Sequence, residues 1–176
     1  MAIRQAPTSE ISAATFRELT QLLEAAFGEP FTDYWSDIGP GLHFMEVEGD
    51  DVLAHACVVD RELHSQKHIL RTGYVEAVAT WPFRQGQGHG TKVMQSVADH
   101  ILDNYELGAL STGHKRFYKR LGWVTWKDPT LIRHVDGRTV RTPRDDGSIM
   151  ILKTPTTPSL NLRSPISAEW RPGELW

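Results

Sequence analysis

The chain has 176 residues, 19 basic against 22 acidic side chains, a formal net charge of -3 and a single cysteine. Such a length suits one domain with a real core, and the near-balanced charge offers no basic field for nucleic acid or an anionic membrane surface. No run approaches the roughly 18 apolar residues of a membrane span, the N-terminus lacks the order of a signal peptide, and a lone cysteine excludes an internal disulfide. A cytosolic protein is expected.

The first helix should begin near Ser12 or Thr15, because Phe16, Leu19, Leu22, Leu23, Ala26 and Phe27 form an apolar face that ends at Gly28. Residues 29–41 read as a loop. Strands follow at Leu42 to Glu48, Val52 to Leu63 and Ile69 to Thr80, the first two joined by the turn-forming Glu48-Gly49-Asp50-Asp51. Cys57 lies in the apolar run Ala54 to Val59 and reads as a buried small hydrophobe, not a nucleophile. A second helix carries Val93, Met94, Val97, Ala98, Ile101 and Leu102 at helical spacing. A short strand (Leu107 to Ser111), a helix around Lys115 to Leu121, and strands at Trp123 to Val135 and Ile149 to Leu152 complete the order α-β-β-β-α-β-α-β-β. The fold class is therefore α+β, an α/β sandwich. From Thr154 the composition shifts to proline, threonine and serine, so residues 1–153 are read as the folded domain and 154–176 as an extended tail. Trp170 and Trp176 imply that this tail docks on the body.

Between the third strand and the second helix stands Arg84-Gln85-Gly86-Gln87-Gly88-His89-Gly90-Thr91. A glycine-rich turn at a helix start leaves N–H groups unpaired and aims the positive helix end at an anion, which makes a phosphate cradle. Neither the Walker A nor the Rossmann spacing is present. The segment resembles instead the pyrophosphate loop Gln/Arg-x-x-Gly-x-Gly of the GCN5-related N-acetyltransferases (GNAT).

From about Phe27 to Trp176 the chain is similar to the aminoglycoside 2′-N-acetyltransferases of that superfamily. The carriers are Gly73-Tyr74-Val75-Glu76, the cradle, Leu107-Gly108-Ala109-Leu110-Ser111, Tyr118-x-x-x-Gly122-Trp123, Val140-Arg141-Thr142-Pro143, Asp145-Asp146-Gly147 and Trp170-Arg171-x-Gly173-x-x-Trp176. The resemblance implies a mixed, splayed central β-sheet flanked by helices, a homodimer, and acetyl transfer from acetyl-CoA to the 2′-amine of an aminoglycoside. It further implies that Glu76 takes the amine proton, that Tyr118 protonates the departing thiolate, and that N–H groups of Val78 and Ala79 on a β-bulge meet the acetyl oxygen and pantetheine arm. The loop Gln85, Gly86, Gln87, Gly88, His89, Gly90 and Thr91 would hold the pyrophosphate. Positions matching Ser111, Asp145, Glu174 and Trp176 would shape the substrate site, with the terminal carboxylate of Trp176 reaching the amine.

The chemistry of the residues runs parallel to this. Amide formation from a thioester needs a neutral amine, preorganised donors for the oxyanion and a proton for the thiolate. Glu76 lies among Tyr74, Val75, Ala77 and Val78, an apolar context for a carboxylate, and a phenol such as Tyr118 is protonated at neutral pH. A polycationic sugar calls for carboxylates, which Asp33, Asp37, Glu76, Asp145, Asp146 and Glu174 supply. His55 reads as core packing and His89 as loop exposure. No His, Cys or carboxylate pair has metal-ligand spacing, so no metal is expected.

Three departures from the family pattern matter: Pro30 where an aspartate is usual, Arg144 at a place often acidic, and a short segment between Ser111 and Tyr118. All reduce or reshape negative charge, which points to a less cationic substrate such as kasugamycin, whose carboxylate Arg144 would pair. Two other readings stand beside this one: a GNAT enzyme acting on deoxystreptamine aminoglycosides, a protein or another small amine, and a non-catalytic acyl-CoA sensor.

Overall fold

The computed structural model describes residues 2–127, 129–173 and 175–176. The chain divides into two compact units, residues 1–59 with 75–99, and residues 60–74 with 100–176.

The first unit holds β1 (Ala2–Pro7), α1 (Ala13–Phe27), α2 (Tyr34–Ile38), β2 (Gly41–Glu48), most of β3 (Asp51–Ser65), the end of β4 (His68–Thr80) and most of α3 (His89–Asn104). β1 pairs antiparallel with β2, and β2 with β3. Every residue of β3 from Val52 to Val59 is buried, the pattern of a strand covered on both faces. Helix α1 starts where the Ser12 hydroxyl accepts the Thr15 N–H at 3.1 Å and ends at Gly28, whose N–H donates to Glu24 O at 2.8 Å. Leu19, Leu22 and Leu23 are its buried stripe, whereas Phe27 is half exposed. α2 lies inside the stretch expected to be a loop, and β1 was not anticipated at all. Its sequence Ala2-Ile3-Arg4-Gln5-Ala6-Pro7 lacks alternation and is ordered by pairing with β2.

The second unit contains the turn of the β3–β4 hairpin, β5 (Leu107–Ser111), α4 (Lys115–Lys119), β6 (Val124–Thr125), β7 (Thr130–Arg133), β8 (Thr139–Arg141), β9 (Ile149–Lys153) and β10 (Ile166–Glu169). Their order is β6-β9-β5-β4-β3-β10-β7-β8. β4/β5 and β10/β7 are parallel and β5/β9, β6/β9, β10/β3 and β7/β8 antiparallel, so the sheet is mixed as expected. One expectation fails here. The single strand Trp123 to Val135 is split into β6 and β7, since Pro129 cannot donate to a ladder. Within the segment 154–176, Ile166, Ser167 and Ala168 are buried, and β10 sits between β3 and β7. In α3, Val93, Met94, Val97 and Ile101 are fully buried, but Leu102, placed on the same stripe, is 39% exposed.

Gly41 opens β2 where no side chain fits, because a Cβ there would lie 2.6 Å from both Cys57 Sγ and the Val58 carbonyl oxygen. Gly41→Ala is therefore expected to lower stability by about 1–3 kcal/mol through forced backbone shifts, read as a lower urea midpoint with an unchanged slope. An unchanged midpoint would show that the two strands can part without cost.

Candidate active site

Strand β4 carries the first cluster. Ala77 has φ 53°, a left-handed conformation in mid-strand, which costs a non-glycine residue about 1–2 kcal/mol and persists only when its surroundings fix it. Side chains take both of its peptide groups. Its N–H donates to the Tyr34 hydroxyl at 3.0 Å, and its carbonyl stands 2.9 Å from His55 Nδ1. Tyr34 in turn donates to Glu76 Oε2 at 3.1 Å. The Glu76 carboxylate, only 9% exposed, is thus held by the phenol that also caps the next residue. The left-handed residue falls just before Val78 and Ala79, the two expected donors, and it interrupts the strand geometry where a bulge was expected.

Behind Ala77 the polar chain continues. His55 Nε2 lies 2.9 Å from His43 Nδ1, and His43 Nε2 lies 3.1 Å from the Thr8 hydroxyl, which accepts the Gly41 N–H. A carbonyl can only accept, so His55 carries its proton on Nδ1 and accepts at Nε2 from His43 Nδ1–H, which leaves His43 Nε2 as an acceptor beside the Thr8 hydroxyl, whose one proton it shares with the Gly41 carbonyl. Both rings are uncharged: burial pushes His43 down to about 4, and burial, with the neighbouring His43 charge, pushes His55 down to about 3 against the opposing Ala77 carbonyl. Trp35 covers the pair edge-on or tilted at 5.6 and 5.7 Å, its indole N–H donating to Thr20, and Phe16 meets His43 at 5.6 Å. His55 is core, as expected, but core with a polar task. Burial, reinforced by the Glu76 charge, holds the Cys57 thiol far above its ordinary range, so it is no nucleophile.

The glycine-rich loop is the second cluster. Gln85 to Gly88 are exposed, Gly86 and Gly88 have φ 78° and 91°, and nothing lies within 4 Å of where a Cβ would stand on either. α3 starts at His89, so the N–H groups of its first turn have no acceptor within the helix. This fits a pyrophosphate: open space, backbone donors and the positive helix end together. His89 corrects an expectation. Its side chain is buried, with Nδ1 2.8 Å from the buried carboxylate of Glu46, which also accepts from Lys92 Nζ at 2.7 Å. Burial opposes the Glu46 charge, yet the hydrogen bonds from Lys92 and His89 prevail and hold its pKa below the ordinary value. Glu46 therefore ties the loop to β2 and leaves only the backbone of His89 to face a ligand. Gln85 and Gln87 turn their amides back onto the Thr80 and Phe83 carbonyls. Asp33, exposed, and Asp37, half-buried, flank and occupy α2.

In the second unit Tyr118 is 7% exposed on α4, and burial raises its pKa well above that of a free phenol, so its hydroxyl keeps its proton. Ser111 donates to Ser148 Oγ, Ser148 to the Asp145 carbonyl, and Trp176 Nε1 to Thr142 Oγ1 at 3.0 Å. The N–H of Asp145 donates to the Thr142 carbonyl. Ser111, Asp145 and Trp176 are thereby joined through Thr142 and Ser148, which sequence reasoning passed over. Burial, ahead of its neighbour Asp146, raises the Asp145 pKa. Asp146 is a staple: it accepts the N–H and hydroxyl of Thr130 and pairs with Arg141 at 2.7 Å. Arg144 is exposed. Glu174 lies outside the described residues. Arg61, also missed, binds the tail: its guanidinium reaches Glu169 Oε1, the Glu169 carbonyl and the Leu175 carbonyl at 2.8–3.0 Å over the Tyr74 ring. Among the described residues no group of three or more His, Cys, Asp or Glu could hold a metal, and no helix is long and apolar enough to cross a membrane.

Residues 8–125 match the acetyltransferase (GNAT) domain model. The chain belongs to the GNAT acetyltransferases. A protein of Mycolicibacterium fortuitum named aminoglycoside 2′-N-acetyltransferase is 34% identical over 174 residues, covering 96% of this chain and 89% of that one, which bears out the resemblance at the level of the family. Two solved structures share the fold. A GCN5-related N-acetyltransferase from Kribbella flavida has TM-score 0.57 at 19% identity over 72% of this chain, which spans 34% of that one. A GNAT acetyltransferase from Brucella melitensis in complex with acetyl-CoA has TM-score 0.55 at 15% identity and 94% coverage of each. GNAT acetyltransferases use acetyl-CoA.

The histidine pair makes a pH prediction. The lowered pKa values mean that the unfolded chain binds protons that the folded chain refuses between about pH 6.5 and the folded values near 4 and 3. Stability therefore falls as pH drops below about 6.5, by about 2 kcal/mol per histidine by pH 5. Thermal melts from pH 7 to 5 should decline more steeply for the wild type than for a His43→Gln/His55→Gln variant. Parallel slopes would mean that other groups carry the acid sensitivity.

Proposed function

We propose that this acetyltransferase modifies the 2′-amine of an aminoglycoside, with Glu76 as base and Tyr118 as acid, and that kasugamycin is the favoured substrate. The observation that carries the roles is the fixing of Glu76 by Tyr34 beside the left-handed Ala77; the substrate class is supported by the relative from M. fortuitum.

Acetyl-CoA supplies an acetyl group activated as a thioester, whose C–S bond breaks as the amide C–N bond forms. Glu76 accepts one proton from the attacking amine, and Tyr118 gives one to the sulfur; solvent then returns the Glu76 proton to the phenolate, which restores both groups. The N–H groups of Val78 and Ala79 follow the turn at Ala77 and donate to the acetyl oxygen, as it gains charge, and to the pantetheine arm. One such donor is worth about 10²–10³ in rate and a positioned base about 10²–10⁴. Gln85 to Thr91 bind the pyrophosphate through backbone N–H groups. Ser111, Asp145, Glu174 and Trp176, with Asp33 and Asp37, bind the sugar, and Arg144 pairs with the kasugamycin carboxylate. The antibiotic so modified would confer resistance on a cell that makes the enzyme.

Thiol release from acetyl-CoA, with mass spectrometry of the products, is expected to show one acetyl group added to kasugamycin and slower turnover of gentamicin and tobramycin. Turnover of the deoxystreptamine compounds with none of kasugamycin would overturn the specificity, and turnover of a lysine peptide alone would overturn the substrate class. Glu76→Gln should lower kcat about 10²-fold or more and Tyr118→Phe about tenfold to 10²-fold, each with acetyl-CoA affinity preserved. Wild-type rates in both variants would leave the roles without support, whereas variants that no longer acetylate yet keep the biological effect intact would favour an acyl-CoA sensor.

A further inference from the structure

The buried histidines lie outside every role assigned so far, yet they end on the backbone of the proposed catalytic strand. We propose that His55, oriented by His43, is a positioning residue for acetyl transfer: by donating to the Ala77 carbonyl it holds the left-handed turn that sets the Glu76 carboxylate and the Val78 N–H. The inference deepens the acetyltransferase reading and rests on it for its kinetic consequence.

An ordinary strand residue gives its N–H and carbonyl to neighbouring strands. Ala77 gives both to side chains, Tyr34 on α2 and His55 on β3. Tyr34 is tied to Glu76 and so has a direct link to the chemistry; His55 has none except through Ala77. Its neutral tautomer is dictated from behind by His43 Nδ1–H, and His43 is anchored by Thr8. His55 is 1% exposed and His43 1% exposed, so water does not replace either bond. A leucine at 55 would leave the Ala77 carbonyl without its buried donor, and β4 would gain by relaxing toward regular extended geometry. That relaxation would rotate the peptides on both sides of Ala77 and so displace Glu76 and the Val78 N–H together. The phosphate loop begins several residues later and is held separately by Glu46.

The test compares His55→Leu, His55→Asn and His43→Leu in the full chain, each checked for a cooperative melt. Asparagine carries an amide donor at the distance of Nδ1 from the backbone. His55→Leu is expected to lower kcat at least tenfold, with acetyl-CoA Kd within threefold of the wild type, and His55→Asn to recover kcat to within threefold. Amide hydrogen exchange should quicken at Ala77 and Val78 in His55→Leu and not in His55→Asn. His43→Leu, which leaves His55 without the donor that sets its tautomer, serves if His55→Leu does not fold, and should lower kcat in the same sense. A folded leucine variant with wild-type kcat and wild-type exchange at Ala77 and Val78 would overturn the proposal, as would equal loss in His55→Asn and His55→Leu. If the wild type itself transfers no acetyl group to any amine, the acetyltransferase reading of this site fails; the exchange comparison, which needs no substrate, then decides the positioning claim alone.

Discussion

A single residue, Ala77, organises the first unit of this protein. Its left-handed backbone is unfavourable for an alanine, and it is kept because a phenol takes its N–H and an imidazole its carbonyl. Much of the surrounding construction serves those two bonds. Helix α2 exists to carry Tyr34 and Trp35, Trp35 is pinned by Thr20 of α1, and β2 supplies the His43 that sets the tautomer of His55. A strain localised in one residue is thereby distributed over four elements, and the same bonds that relieve it fix the carboxylate of Glu76.

The glycine loop obeys a different constraint. Its exposed residues have almost nothing packed on them, and the order comes from beneath, where a buried glutamate on β2 holds His89 and Lys92 of α3. A buried carboxylate under a helix start is favoured by the helix dipole and by two donors, so Glu46 is both satisfied and useful. The second unit repeats the economy with Arg61: one buried guanidinium, stacked over Tyr74, gathers two carbonyls and a carboxylate of the C-terminal segment.

What could be read from the sequence was local. Apolar periodicity located α1, α3 and the β2, β3, β4, β5 and β9 strands, and the residue types around Gln85 to Gly90 marked a glycine-rich turn at a helix start. The unread parts depend on partners far along the chain. Tyr34 and Ala77 are 43 positions apart, and no pattern near Tyr34 marks the hydroxyl that caps β4. The segment 29–41 looked like a loop because α2 spans five residues, too few to show a helical stripe. His89 looked exposed because glycines surround it, whereas Glu46, the side chain that draws it inward, sits far back in the chain on β2. β10 was hidden by the prolines and serines around it: Ile166-Ser167-Ala168 has no apolar run of its own and gains its place only between β3 and β7.

The proposed function gives Glu76 and the Ala77 turn to the chemistry and the loop at 85–90 to the pyrophosphate. A crystal structure of the protein with CoA and the N-acetylated aminoglycoside would test both assignments in one experiment. The expected result is the pyrophosphate on the backbone N–H groups of residues 86–90, the acetyl oxygen within hydrogen-bonding distance of the Val78 N–H, and the acylated nitrogen on the side of Glu76. A product whose acetyl group lies away from Glu76 and Val78 would contradict the assignment, and the catalytic base would have to be sought elsewhere on the chain.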